Sequence, residues 1–293
     1  MDVPTTRPGG TIRLAGREVS RIGYGAMQLE HTDPDTAATV LRRAVELGIN
    51  LLDTAAFYGD ATVNAHLRRA LAPYADDLVI ASKVGARYVD GPVPLAPAQH
   101  PAALRAQVHR DLVTLGLDQV PVVHLRRLDR APGIVATGDE VVPLDDQLAE
   151  LLALRDEWLV GGIGLSNVDA DQLCQALPAG IVSVQNVYNA VDRTEEDVLR
   201  LAGEHGVAWI PYFPLGSAFD GIATPVDDPA VQEVARRHGT SAAAVSLAWI
   251  LAHAPHAAVI PGTRTLPHLE ANVAAGGLRL SAEDVAAIDA SAR

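Results

Sequence analysis

Short apolar runs alternate with stretches whose apolar residues recur at helical spacing, and the alternation repeats along most of the chain. Residues 33–47 show the helical half clearly. Ala37, Val40, Leu41, Ala44 and Val45 share one face, Asp33-Pro34 opens the helix and Gly48 stops it. Strands are predicted at 49–52, 78–81, 120–123, 163–165, 181–184, 207–210 and 257–260, and with 21–23 they number eight. Tyr24-Gly25-Ala26-Met27 reads as a short strand running into a loop. Helices are predicted at 60–72, 101–115, 144–157, 169–177, 195–205, 228–238, 241–251, 266–275 and 282–290. Ahead of them, Ala15-Gly16 joins 11–14 to 17–20 as a β-hairpin.

Strands this short and apolar, each followed by a helix, belong to a parallel sheet covered on both faces. Eight units in one chain of this length predict a closed (β/α)8 barrel of the TIM type, a single domain over 1–293 with a short N-terminal hairpin. An open doubly wound sheet is the second reading. It calls for a glycine-rich turn between the first strand and a helix. Gly161-Gly162-Ile163-Gly164 instead leads into a strand. Three longer interruptions stand out, at 85–100, 129–143 and 217–229. The first and last are expected to border the mouth; the position of 129–143 is left open by the sequence.

Composition narrows the partners. With 48% hydrophobic and 20% charged residues the chain can bury a large core, and its formal charge of −13 opposes nucleic acid. No run approaches the roughly 18 apolar residues of a membrane span. The polar start, 1–10, lacks a signal-peptide core, so a cytoplasmic protein is expected. The single cysteine, Cys174, excludes an internal disulfide and lies in a helix, where packing or exposure is its expected fate. His253 and His256 match no metal spacing and are read as surface residues; no metal is expected.

The residues just after each strand form a selective set. Asp53 and Tyr58 follow the second strand, Ser82-Lys83 the third and His124 the fourth. Ser166-Asn167 follow the fifth, Gln185-Asn186 the sixth, Tyr212-Phe213-Pro214-Leu215-Gly216-Ser217 the seventh and Gly262-Thr263-Arg264 the eighth. Taken singly, each has a plain structural reading: Asp53 or Ser166-Asn167 as turn caps, Lys83 as a solvated strand end, His124 as a core histidine, Tyr212 as packing. Arriving one set per strand, they would converge on the barrel mouth. A lysine near a tyrosine favours phenolate, a carboxylate holds the lysine charged, and a neutral histidine can position a carbonyl oxygen.

These motifs, in this order, make the whole chain resemble the aldo-keto reductases. The carriers are Asn50-Leu51-Leu52-Asp53-Thr54-Ala55 with Tyr58-Gly59, Ala81-Ser82-Lys83-Val84, Val123-His124 and Gly162-Ile163-Gly164-Leu165-Ser166-Asn167. Val184-Gln185-Asn186-Val187-Tyr188-Asn189, Tyr212-Phe213-Pro214-Leu215-Gly216 and Ile260-Pro261-Gly262-Thr263 complete them. The resemblance implies reduction of an aldehyde or ketone to an alcohol, with hydride from NADPH (NADH possible) and the proton from Tyr58. It implies a tetrad of Asp53, Tyr58, Lys83 and His124, with His124 orienting the carbonyl. It further implies Ser166, Asn167 and Gln185 around the nicotinamide carboxamide, Tyr212 stacked on its ring, and Leu215, Gly216 and Ser217 along the pyrophosphate. Gly25, Ala26, Met27, Asp53, Phe213, Pro214, Gly262, Thr263, Arg264, His268 and Asn272 fill out the expected cofactor site. Met27, Phe57, Tyr58, His124 and Leu125 are expected against the substrate, in a rather open mouth with broad aldehyde acceptance.

The chain departs from the family pattern at several points. Gly262 stands where many relatives carry lysine, which leaves Arg264 and His268 as the nearest cations for a 2′-phosphate. Ala271 stands where a glutamate is common. Trp158 replaces a frequent glycine after a helix, so a changed turn is expected there. Pro121 replaces a common aspartate. Two other functions fit the fold: a cofactor-binding regulatory protein with little turnover, and a lyase using Lys83 as a Schiff base.

Overall fold

The computed structural model describes residues 6–91, 93–217 and 222–291. The start of the expected N-terminal tail and the tip of the 217–229 loop lie outside these residues. The chain runs β1 (Thr11–Leu14), β2 (Arg17–Ser20), β3 (Tyr24–Gly25), α1 (Pro34–Glu46), β4 (Leu51–Asp53) and α2 (Thr62–Leu71). It continues with β5 (Val79–Val84), β6 (Ala86–Tyr88), β7 (Leu95–Pro97), α3 (Pro101–Leu115), β8 (Val120–Arg126) and α4 (Leu144–Asp156). Then come β9 (Val160–Ser166), α5 (Ala170–Ala176), β10 (Ser183–Gln185), α6 (Glu196–Glu204) and β11 (Ala208–Trp209). Four helices end it: α7 (Pro229–His238), α8 (Ala242–His253), α9 (Leu266–Ala275) and α10 (Ala282–Asp289).

Seven strands pair in the order β11-β10-β9-β8-β5-β4-β3, all parallel. The eighth predicted strand, 257–260, joins only by parallel bridges, from Ala257 to Trp209 and from Val259 to Ile22. Those bridges link the two edges of the sheet and complete the (β/α)8 ring. The first barrel strand also lies later than the 21–23 expected, at Tyr24–Gly25. The 85–100 segment is not a plain loop, because β6 and β7 pair there as an antiparallel hairpin.

Alternation along each strand sorts side chains into two layers. Leu51, Val79, Ala81, Val122, Ala208, Ile210, Ala258 and Ile260 fill the interior, and Leu14 and Val19 of the β1–β2 hairpin pack on them. Val123, Leu125, Ile163, Leu165, Val184 and Trp209 face outward and pack with Leu104, Val108, Leu148 and Leu151 of α3 and α4. The glycines of β9 have packing reasons. A Cβ on Gly162 would lie 2.9 Å from the Cβ of Ala15 in the hairpin turn, and one on Gly164 would overlap the His124 ring.

The helix signals read from sequence recur as caps. The Asp33 carboxylate accepts from the Asp35 and Thr36 amides, and Gly116 closes α3 in the left-handed region at φ 71°. α2 starts two residues later than expected because Asp60 and Ala61 are both left-handed. Trp158 reverses an expectation. It keeps the left-handed turn, at φ 66°, and the turn carries both bonds of a glycine-type helix stop: Trp158 N–H to Arg155 O and Leu159 N–H to Leu154 O, each 3.0 Å. His253 and His256 are half-buried rather than free on the surface. His253 stacks on Trp249 at 4.5 Å and bonds Glu196, and His256 bonds the Leu199 carbonyl. Cys174 is exposed. Among the described residues no helix is long and apolar enough to cross a membrane, and no cluster could hold a metal ion.

Candidate active site

Five polar side chains stand at the C-terminal ends of the inner face. Asp53, Arg126, Ser166 and Gln185 end β4, β8, β9 and β10, and Lys83 is next to last in β5. Here a cleft of about 840 Å³ opens, lined among others by Asp53, Tyr58, Lys83 and Arg126. A smaller cavity, about 310 Å³, lies by the β1–β2 turn and Trp158 and contains none of these groups.

Asp53 and Lys83 are each 4% exposed, a costly place for charge unless it is paired and hydrogen-bonded. Both conditions are met. Lys83 Nζ donates to Asp53 Oδ1 and, at 3.1 Å, to the Thr54 carbonyl, while Gln185 Nε2 donates to Asp53 Oδ2 at 2.7 Å. Burial pulls the ammonium pKa down, and Asp53 with Tyr58 more than restores it. Tyr58 rides on the loop after β4, its ring edge against Phe57 and its centroid 5.1 Å from Lys83 Nζ. Burial pushes the phenol pKa up; Lys83 and Arg126 pull against this, Asp53 adds to it, and the net direction is upward. A neutral phenol beside a fixed ammonium can give a proton to an oxygen in the cleft and be stabilised when it has done so.

His124 pairs in register with Lys83 but lies beneath the cleft wall and not on it. It is fully buried, its Nε2 bonded to Ser183 Oγ at 2.8 Å and its Nδ1 without a partner, and burial pushes its pKa down to about 4. The residue at the mouth on this strand is Arg126, two positions on and about 7 Å further along. The sequence predicts a strand ending at Val123, whereas β8 continues to Arg126, in register with Ser166 of β9. Period-two alternation from Val122 and His124 was the available signal. The same alternation corrects Leu125, which faces the helices and not the substrate space.

Of the other expected residues, Gly25, Met27, Phe57, Tyr212, Phe213, Pro214, Leu215, Gly216, Ser217 and Gly262 line the cleft. Gly25 and Gly262 suit close backbone approach, since a Cβ on Gly25 would meet the Ile260 carbonyl at 2.5 Å and one on Gly262 the Gly25 carbonyl at 2.7 Å. Ala26 is buried behind the wall, its N–H on the Asp53 carbonyl. Ser166, Asn167 and Gln185 are buried and off the wall. The Asn167 amide donates to the Arg127 and Arg130 carbonyls, whereas Gln185 Oε1 is buried without a partner. Thr263 receives the Tyr24 hydroxyl on its carbonyl at 2.6 Å; Arg264 and His268 are exposed and Asn272 is buried, all off the cleft wall. Glu270, next to Ala271, pairs with Arg43. The 129–143 segment does reach the mouth, through Pro132, Gly133 and Ile134.

The buried, unpartnered Gln185 Oε1 can accept from a carboxamide, and the Tyr212 ring offers a stacking face. An aromatic face on the wall and an amide acceptor directly behind the cleft-lining Asp53 fit a nicotinamide ring and its carboxamide.

A family model described as "Aldo/keto reductase family" matches residues 21–293. The chain is 39% identical to pyridoxine 4-dehydrogenase of Escherichia coli over 295 residues, covering 97% of this chain and 98% of the relative. It is 35% identical to an uncharacterized oxidoreductase of Schizosaccharomyces pombe, over 96% of this chain and 89% of the relative. Among solved structures, a Klebsiella pneumoniae aldo/keto reductase in complex with NADP and acetate superposes with a TM-score of 0.81 at 23% identity, covering 98% of this chain and 97% of the other. A glycerol dehydrogenase from Gluconobacter oxydans gives the same TM-score, 0.81, at 22% identity over 97% and 95%.

Proposed function

The chain belongs to the aldo/keto reductase family, and from that premise we propose that it interconverts a small aldehyde or ketone and its alcohol with NADP(H). The observation that carries this is the buried Asp53–Lys83 pair facing Tyr58 at the floor of a large cleft. When bound, the cofactor supplies or accepts the hydride. Every other task falls to this chain. Tyr58 gives its proton to the carbonyl oxygen, Lys83 stabilises the resulting phenolate, and Asp53 keeps Lys83 charged and aimed.

Tyr212, Gln185 and Ser166 would hold the nicotinamide, and the backbone of 213–217 the pyrophosphate. Arg264 and His268 are the cations proposed for a 2′-phosphate; their position before and within the first turn of α9 adds the positive end of a helix. NADH remains a second cofactor to test. The substrate proposed first is the alcohol–aldehyde pair at the 4-position of pyridoxine, on the strength of the 39% identical relative. The net charge of −13 supports a small-molecule partner over nucleic acid, and the cytoplasm is the compartment proposed, on its diffusible cofactor pool.

Oxidation of NADPH and NADH is followed by absorbance against a panel of aldehydes that includes pyridoxal, with Tyr58→Phe alongside. Turnover by the wild type and none by a variant that still binds cofactor supports the reading. Cofactor binding with no turnover of any aldehyde overturns it.

A further inference from the structure

Among the described residues, Arg126 at the mouth of the barrel has no counter-ion. Its neighbours in sequence are all neutralised: Arg127 pairs with Asp129 and Arg130 with Glu195. Among the described residues no carboxylate comes within ion-pair distance of Arg126. Its own hydrogen bonds are long, 3.3 Å from Nη1 to Ser166 Oγ and 3.4 Å from Nη2 to the Pro132 carbonyl, beyond the range of a strong bond. The guanidinium carbon lies over the Tyr212 ring, 5.3 Å from its centroid, a cation–π contact that seats the group at the cleft wall. Half-buried, weakly bonded and seated over an aromatic ring, such a group is arranged to receive an anion from the cleft.

The position of that anion follows from what shares the wall. Arg126, Tyr58 and Lys83 line one cleft, and Arg126 is close enough to act electrostatically on Tyr58. An oxygen protonated by Tyr58 therefore lies within the field of Arg126. A guanidinium presents two parallel N–H donors, which match two oxygens on adjoining substituents of a flat molecule. The remaining wall includes Phe57, Tyr212, Leu95 and Ile134, which suits an aromatic ring.

We infer that Arg126 selects aromatic aldehydes bearing an ionisable hydroxyl ortho to the reacting carbonyl, with one arm of the guanidinium on the carbonyl oxygen and the other on the ionised hydroxyl. This rests on the reductase reading and deepens it. The chemistry balances as in any carbonyl reduction: hydride adds to the carbonyl carbon, the Tyr58 proton to its oxygen, and the ortho oxyanion is unchanged. Arg126 thus occupies the place expected of His124, whose ring is committed to Ser183.

The test compares kcat and KM for 2-hydroxybenzaldehyde, 4-hydroxybenzaldehyde and benzaldehyde across pH, using wild type, Arg126→Met and Arg126→Lys with saturating cofactor. The wild type is expected to favour the ortho isomer on the order of 10- to 100-fold, the worth of a charge-assisted hydrogen bond. That preference rises with pH as the hydroxyl ionises, disappears in Arg126→Met and is partly kept in Arg126→Lys. A merely structural role would lower all three aldehydes together and leave their ratio and its pH profile in place, which overturns the inference; an ortho preference surviving in Arg126→Met does the same. In either case turnover itself leaves the reductase reading standing. Failure of the wild type to reduce any of the three or pyridoxal overturns both.

Discussion

Asp53 and Lys83 neutralise each other where water has almost no access, and each is tied to a second group: Asp53 to the Gln185 amide, Lys83 to the Thr54 carbonyl. Removing one member strands the other. Asp53→Asn is expected to cost about 3–5 kcal/mol of stability, read from urea unfolding. Adding Lys83→Met to it should return much of that loss while activity stays absent. Additive losses in the double variant would show that the two charges do not depend on each other.

The upward direction of the Tyr58 pKa fixes the sign of a pH profile. A phenol held neutral by burial is a competent donor throughout the neutral range, so reduction stays flat there and falls only in the alkaline range, where the proton is lost. Alcohol oxidation needs the phenolate and rises over the same alkaline interval. Tyr58→Phe loses about 10²- to 10⁴-fold in kcat and both alkaline limbs, with cofactor affinity kept. A variant that retained either limb would assign it to another group.

Two buried groups behind the site pull stability in opposite directions with pH. His124 is pushed down to about 4 by burial, so the unfolded chain takes up the proton first; its contribution is complete above the ordinary histidine pKa and declines as pH falls toward about 4. Asp111 of α3, bonded by Ser82 at 2.6 Å and Asn64 at 2.8 Å, is pushed up to about 6 by burial. Its contribution is complete below the ordinary carboxyl pKa and is lost as pH rises through about 6. Each term amounts to about 3 kcal/mol, so in the wild type they largely cancel between pH ~4 and ~6. Unfolding free energies measured across that range should rise with pH in Asp111→Asn and fall in His124→Asn. Identical slopes in all three proteins would refute the assignment.

What the sequence displayed, and what it hid, follows from how local each feature is. Asp53 and Lys83 interrupt apolar runs at strand ends, and a charge there is visible to anyone reading along the chain. The choice between His124 and Arg126 is not local. Both have the same parity on β8, and which one reaches the mouth depends on how far the strand extends, set by pairing of Arg126 with Ser166 of β9. Leu125, expected against the substrate, is sent to the other face by the same alternation. The 257–260 strand was legible as an apolar run, but its reduction to two bridges is a property of ring closure. The β6–β7 hairpin is not legible in the sequence, because a stretch rich in proline and glycine carries little alternation.

Trp158 offers a test of backbone strain away from the cleft. It is 75% exposed, so its ring contributes little burial, and it holds φ 66° in a turn whose two hydrogen bonds need that conformation. An L-residue in the left-handed region costs about 1–2 kcal/mol. Glycine removes that strain and gives back part of the gain through the larger entropy of the unfolded chain. Trp158→Gly is therefore expected to stabilise the protein by about 0.5–1 kcal/mol and to leave reduction kinetics unchanged, because the residue lies by the small cavity near the β1–β2 turn and not on the cleft wall. Thermal unfolding of the two proteins decides it. A lower midpoint in the glycine variant would mean that the indole, through its contacts at that cavity, outweighs the strain of its own backbone.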